Sequence, residues 1–202
     1  MTPPQAPLAV LTPHAAPGQF PDWSSFIASG RQAAGFLLDG FAPDAQDELL
    51  WAIRRSSWWN AWIALAPGAP ASRLECLADA RHPPEVASRE AVRLASDGAD
   101  GPHHMDFEER LLHFLFVRDG ARLQPVCDRH SLYLYRFPLA EALGADEARV
   151  THTLLDLQRR RILEPGLPVD RVRHCIRCSS AHPHYHDVCP QCRSIQIGKA
   201  AA

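Results

Sequence analysis

Four of the six cysteines stand as two pairs near the C-terminus, Cys175 with Cys178 and Cys189 with Cys192, and ten residues join the pairs. Two residues between thiols let one tight turn aim both sulfurs at the same ion, and a short ribbon between two such turns completes a tetrahedron. The spacing predicts a zinc-ribbon module folded around one structural zinc ion (Zn2+) in a closed four-sulfur shell. A closed shell has no position for water, so the metal would organise structure and would not activate a nucleophile. His174, His182, His184 and His186 crowd the same segment, which leaves a set of three cysteines and one histidine as an alternative. A pair of redox dithiols is the other alternative, but reactive CxxC pairs usually open a helix after a strand, and neither is signalled here.

With 202 residues the chain can bury a core of its own, so the metal is a local staple. A cytoplasmic location is expected, and in that reducing compartment six cysteines are unlikely to form a disulfide framework; the four in CxxC pairs fit metal binding better. No apolar run approaches the roughly 20 residues that span a bilayer, so no membrane contact is expected. The first 21 residues hold six prolines and no basic stretch ahead of an apolar one. They read as a loose Pro-rich leader rather than a secretory signal. Charge is uneven: residues 1–148 carry 12 basic and 19 acidic side chains, whereas 149–202 carry 9 basic and 4 acidic. Four thiolates around a divalent ion leave the cluster negative, so part of that arginine excess would serve to neutralise it.

Short apolar runs at Leu8–Leu11, Gly35–Leu38 and Ala61–Leu65 alternate with amphipathic, helix-length segments, which is how an α/β layer is written. Asp44–Ser56 reads as a crossover helix, Ala71–Ala80 and Glu85–Ala95 as further helices, and Met105–Val117 as a helix with one apolar face. From Pro138 to Glu164 a short helix, a turn at Gly144 and a longer helix place Leu139, Leu143, Val150, Leu154 and Leu157 where a winged helix-turn-helix packs. The expected order is a leader over 1–21, a degenerate receiver-like α/β domain over 22–118, a winged-helix-like segment over 119–170 and the zinc ribbon over 171–202.

The run HCIRCSS at 174–180, the run HDVCPQCRS at 186–194, Ile195 and the approach VDRVRHC at 169–175 resemble the cysteine-rich module of the thaumarchaeal-type output domain family. The likeness is clearest over 154–197. It implies a metal module that follows helical and strand elements and serves as the output piece of signalling proteins, often beside receiver or sensor domains. Ligation by Cys175, Cys178, Cys189 and Cys192 carries over; an activity does not.

Asp39 ends the apolar run FLLDG and resembles the phosphoacceptor of a receiver. The acidic pair after the first strand is missing, however, and the only lysine is Lys199, so an α/β layer without phosphotransfer is expected. Arg149, His152, Arg159, Arg160, Arg161 and Arg173 are candidates for binding nucleic acid or a partner. Asp146 and Glu147 open the would-be recognition helix and oppose the approach of phosphates. Trp58 and Trp59 cannot both face inward on one regular element, so one of them is a candidate partner contact. Cys76 and Cys127 read as buried small side chains. No acid, base and nucleophile can be assembled, so the chain is expected not to be an enzyme. A non-catalytic, zinc-binding regulatory protein in signal transduction, acting on a protein partner, is the leading reading; a DNA-binding transcriptional regulator is the alternative and an enzyme of unrecognised class the third.

Overall fold

The computed structural model describes residues 8–98, 105–170, 172–173, 175–177 and 181. They divide into two compact units: residues up to 126 together with 137–165, and 127–136 together with 166 onward.

The first unit is built on a four-stranded parallel sheet. Strands β1 (Leu8–Leu11), β2 (Gly35–Leu38), β3 (Trp62–Leu65) and β4 (Ala80–Arg81) lie side by side in chain order. Leu8 is in register with Gly35, and Phe36 with Ile63. Every residue of β2 and β3 is buried, as strands covered on both faces must be. Period-two alternation sends Leu11, Phe36, Leu38, Ile63 and Leu65 to one face and Leu37, Trp62 and Ala64 to the other. Helices α1 (Trp23–Ala28) and α2 (Pro43–Arg54) follow β1 and β2 and cover the first face through Phe26, Leu49, Leu50 and Ile53. Helix α3 (Pro84–Gly98) covers the second through Ala87, Ala91 and Leu94. Gly35 permits that approach: a Cβ there would stand 2.6 Å from the Trp62 carbonyl oxygen and 2.7 Å from the Ala91 Cβ.

Helices α4 (Phe107–Phe116), α5 (Pro138–Ala142) and α6 (Glu147–Arg159) extend the first face. Phe107, Leu111 and Phe114, then Leu139 and Leu143, then Val150 and Leu157 join the same core as α1 and α2. Asp106 caps α4 in a reciprocal box with Glu109, and Asp146 caps α6 by accepting from the Arg149 amide at 2.8 Å.

Several expectations are corrected. The sheet runs 1-2-3-4 without reversal, whereas the receiver arrangement is 2-1-3-4-5, so the receiver likeness extends to α/β layering and not to topology. The leader assigned to 1–21 contributes β1 and the buried Phe20, whose backbone exchanges bonds with Val10 and Thr12 at 3.0 and 2.9 Å. Ala71–Ala80 forms a turn with a single 3-10 segment, Glu75–Leu77. Gln46 reaches Ser72 and the Pro70 carbonyl, and Asp47 accepts from the Leu74 amide, so partners on α2 replace helical bonding. The helices at 138–159 lie in the first unit.

The second unit begins within β5 (Val126–Cys127), which pairs with β6 (Tyr135–Arg136). Asp128 closes the turn, accepting from the His130 amide at 2.9 Å, and Leu134 takes a left-handed conformation at φ 67°. Tyr135 donates to Asp170 at 2.9 Å, and the Ala181 amide donates to Leu132 at 2.8 Å. Cys127 is exposed, contrary to expectation; Cys76 is half-buried, and burial pushes its thiol up to about 11.

Candidate functional site

Beneath α4 lies a charged cluster withdrawn from water. Arg54 ends α2, Asp79 precedes β4 and Arg118 follows α4; their side chains are 0%, 3% and 5% exposed. Asp79 accepts from Arg54 at 2.8 Å, from Arg118 and from the Ile63 amide at 2.6 Å. Arg54 also donates to the carbonyls of Leu77, Trp59 and Ala61. Arg118 donates to the side chain and carbonyl of Asn60 and to the Phe114 carbonyl. The Arg118 guanidinium lies 3.6 Å, and that of Arg54 4.8 Å, from the Phe114 ring centroid, which offsets part of their lost hydration. Desolvation still lowers Arg118 to about 10, so it stays charged at neutral pH. Two cations against one anion leave a positive charge in excess.

The cluster also sets the state of a histidine. Arg118 donates to Asn60 Oδ1 at 2.7 Å, which turns the amide Nδ2 toward His113 Nε2 at 3.1 Å. Nε2 must therefore accept, and the ring must be neutral. Burial, then the Arg118 charge, holds His113 below its ordinary value of 6.5.

Above the cluster, α4 presents apolar surface to solvent. Leu112, His113, Leu115 and Phe116 face Ile162 and Leu163 across a groove of about 520 Å3. Phe116 is 89% exposed, unusual for a ring of that size outside a contact surface. The far wall depends on how α6 ends. Ile162 donates back to Leu157 at 2.9 Å and Arg161 to Gln158 at 3.0 Å, a Schellman closure with Arg161 left-handed at φ 59°. That position favours glycine, and a side chain there costs about 1–2 kcal/mol. Arg160 bridges Glu108 at 2.7 Å and Asp156 at 3.2 Å. Arg159 and Arg161, both exposed, make no ion pair among the described residues.

Arg149 lies over the Phe107 ring at 5.6 Å; His152 and Arg173 are exposed. Trp58 and Trp59 sit in the turns after α2, where alternation does not apply, and both are half-buried against the core. Trp58 meets Phe26 and Phe36 edge-on at 5.7 and 5.6 Å, and Trp59 meets His113 at 5.9 Å. Cys175 is half-buried; Cys178, Cys189 and Cys192 lie outside the described residues, as do His174, His182, His184 and His186. Among the described residues no three metal-binding side chains come together, and no helix is long and apolar enough to cross a membrane.

The family model for thaumarchaeal output domain 1 matches residues 100–202, half of the chain. The chain belongs to that family. No curated protein and no solved structure matches it. The output-domain match takes in α4, the whole groove, Arg118 and the four paired cysteines, whereas Arg54 and Asp79 belong to the α/β layer ahead of it. Sequence reasoning missed Arg54, Asp79, Arg118 and Phe116. Phe116 could have been flagged, since it falls on the polar side of a helix whose core positions are Phe107, Leu111 and Phe114.

Because folding lowers the His113 value, the unfolded chain takes up the proton first, and stability present above pH 6.5 is lost as pH falls through the folded-state value. The urea midpoint should drop between about pH 7.5 and about pH 5.5, and His113→Gln, which still accepts from Asn60, should remove most of that drop. An unchanged drop in the variant would show that His113 is not its source.

Proposed function

We propose that this output-domain chain is a non-catalytic regulatory module that acts by capturing an amphipathic segment of a protein partner, apolar on one side and acidic at its margins. The observation that carries the reading is Phe116, 89% exposed beside an apolar groove whose far wall follows directly on Arg159–Arg161. A helix or strand laid in the groove would bury the ring, and acidic flanks would meet Arg159 and Arg161. Membership of an output-domain family supports a role in passing a signal to a partner.

We further propose that Cys175, Cys178, Cys189 and Cys192 hold one zinc ion. The donor set fits, because four thiolates satisfy the preferred tetrahedral shell and half-buried Cys175 suits a closed site. When bound, the metal supplies folding energy to the C-terminal segment and no reaction chemistry. Metal analysis should return one zinc per chain, and Cys189→Ser should release it; full zinc content in that variant would rule out this ligand set.

DNA binding is the weaker reading. Arg149 rests on Phe107, Arg160 is engaged by Glu108 and Asp156, and Asp146 is committed as the cap of α6, so the helix end that would approach phosphates presents acid.

The test is a pair of synthetic helical peptides with leucines at the same spacing, one carrying glutamates and the other lysines elsewhere. The acidic peptide should bind, Phe116→Asp should weaken it at least about tenfold, and Arg159→Glu with Arg161→Glu should weaken it most at low salt. Equal binding of both peptides, or indifference to Phe116→Asp, would contradict the proposal. Salt-sensitive binding of duplex DNA that survives Phe116→Asp but fails when Arg159 and Arg161 are neutralised would favour the DNA reading.

A further inference from the structure

We infer that a second cavity, beside β4 and independent of the groove, is a binding site for a small molecule bearing a carboxylate or phosphate group. The cavity measures about 390 Å3, and its walls include Trp62, His82, Arg93, Arg118, Asp119 and Arg122. That volume falls within the range of small-molecule sites.

Two observations define the ligand. The first is Trp62, which is 8% exposed; its indole Nε1–H is buried and meets no acceptor among the described residues. A buried donor left unpaired costs about 1–3 kcal/mol, and native structures retain few. A ligand that uncovers the indole edge and brings an oxygen to this N–H would remove that cost. The second is charge. The carboxylate of Asp79 on the wall is already held by Arg54 and Arg118, and Glu90 is paired with Arg93 at 3.0 Å. Asp79 therefore has little left to offer a cation, and the buried cluster behind it carries a positive charge in excess. Arg122 is exposed and makes no ion pair among the described residues; the exposed Asp119 carboxylate on the same wall offsets one charge, so the net excess is the one carried by the buried cluster, and the half-buried His82 ring adds a further polar group. A ligand with several acceptor oxygens on one centre would take the Trp62 N–H with one oxygen and Arg122 with another.

Calorimetry on the full, zinc-loaded chain with inorganic phosphate and with succinate tests this. At least one probe should bind saturably at one site per chain. Arg122→Gln should weaken it about tenfold, the scale of a lost charge-assisted bond, and Trp62→Phe, which keeps the ring and removes the N–H, should weaken it several-fold. Arg89→Gln, an exposed residue of α3 outside the cavity, should change nothing. A preference for phosphate would assign a phosphate-bearing ligand and a preference for succinate a carboxylate. Absence of binding by both probes, or binding unmoved by Arg122→Gln and by a folded Trp62→Phe variant, would overturn the inference and leave a cavity filled with water only.

Discussion

Two guanidiniums and one carboxylate meet out of water where β3 and β4 begin, and most of the first unit is arranged around satisfying them. Each charge would be strongly unfavourable alone in that environment. Together they use the Ile63 amide, the carbonyls of Leu77, Trp59, Ala61 and Phe114, and the Asn60 side chain. Removing one member of such a buried set costs about 3–5 kcal/mol, because the others keep their charge and lose their partner. The cluster is therefore better understood as a device that admits one arrangement of α2, the β3–β4 connection and α4 than as a source of stability. It also joins what the family match separates. Arg118 lies inside residues 100–202, while Arg54 and Asp79 lie ahead of them.

Local pattern was enough to find most elements. β1 and β2 were read at their observed limits, and α2 lay within two residues of them, because buried parallel strands are short apolar runs and Pro43 with Asp44 marks a helix start. The segment 71–80 misled because its backbone is satisfied by Gln46 and Asp47 on α2, which no local pattern reveals. Strand order was equally hidden, since alternation of strand and helix is common to a sequential sheet and a receiver.

The site was harder to read for the same reason. Arg54 and Asp79 are 25 residues apart and Arg118 and Asp79 39 apart, so their union is a product of the fold. Isolated arginines look alike in a sequence. Arg118 is buried, Arg149 lies on an aromatic ring, Arg160 is paired across two helices, and Arg159 and Arg161 are left on the surface. One of Trp58 and Trp59 reads as a partner contact only if strand or helix alternation applies, and turn geometry lets both pack against the core. On α4 the exposed apolar ring is Phe116.

The buried cluster should make α4 and the parallel sheet one cooperative unit. Native-state hydrogen exchange measures this directly. Core amides of α4 such as Leu111 and Phe114, and of β3 such as Ile63 and Leu65, should open with the same free energy and the same denaturant dependence. Opening of α4 at a distinctly lower free energy, with β3 still protected, would contradict it.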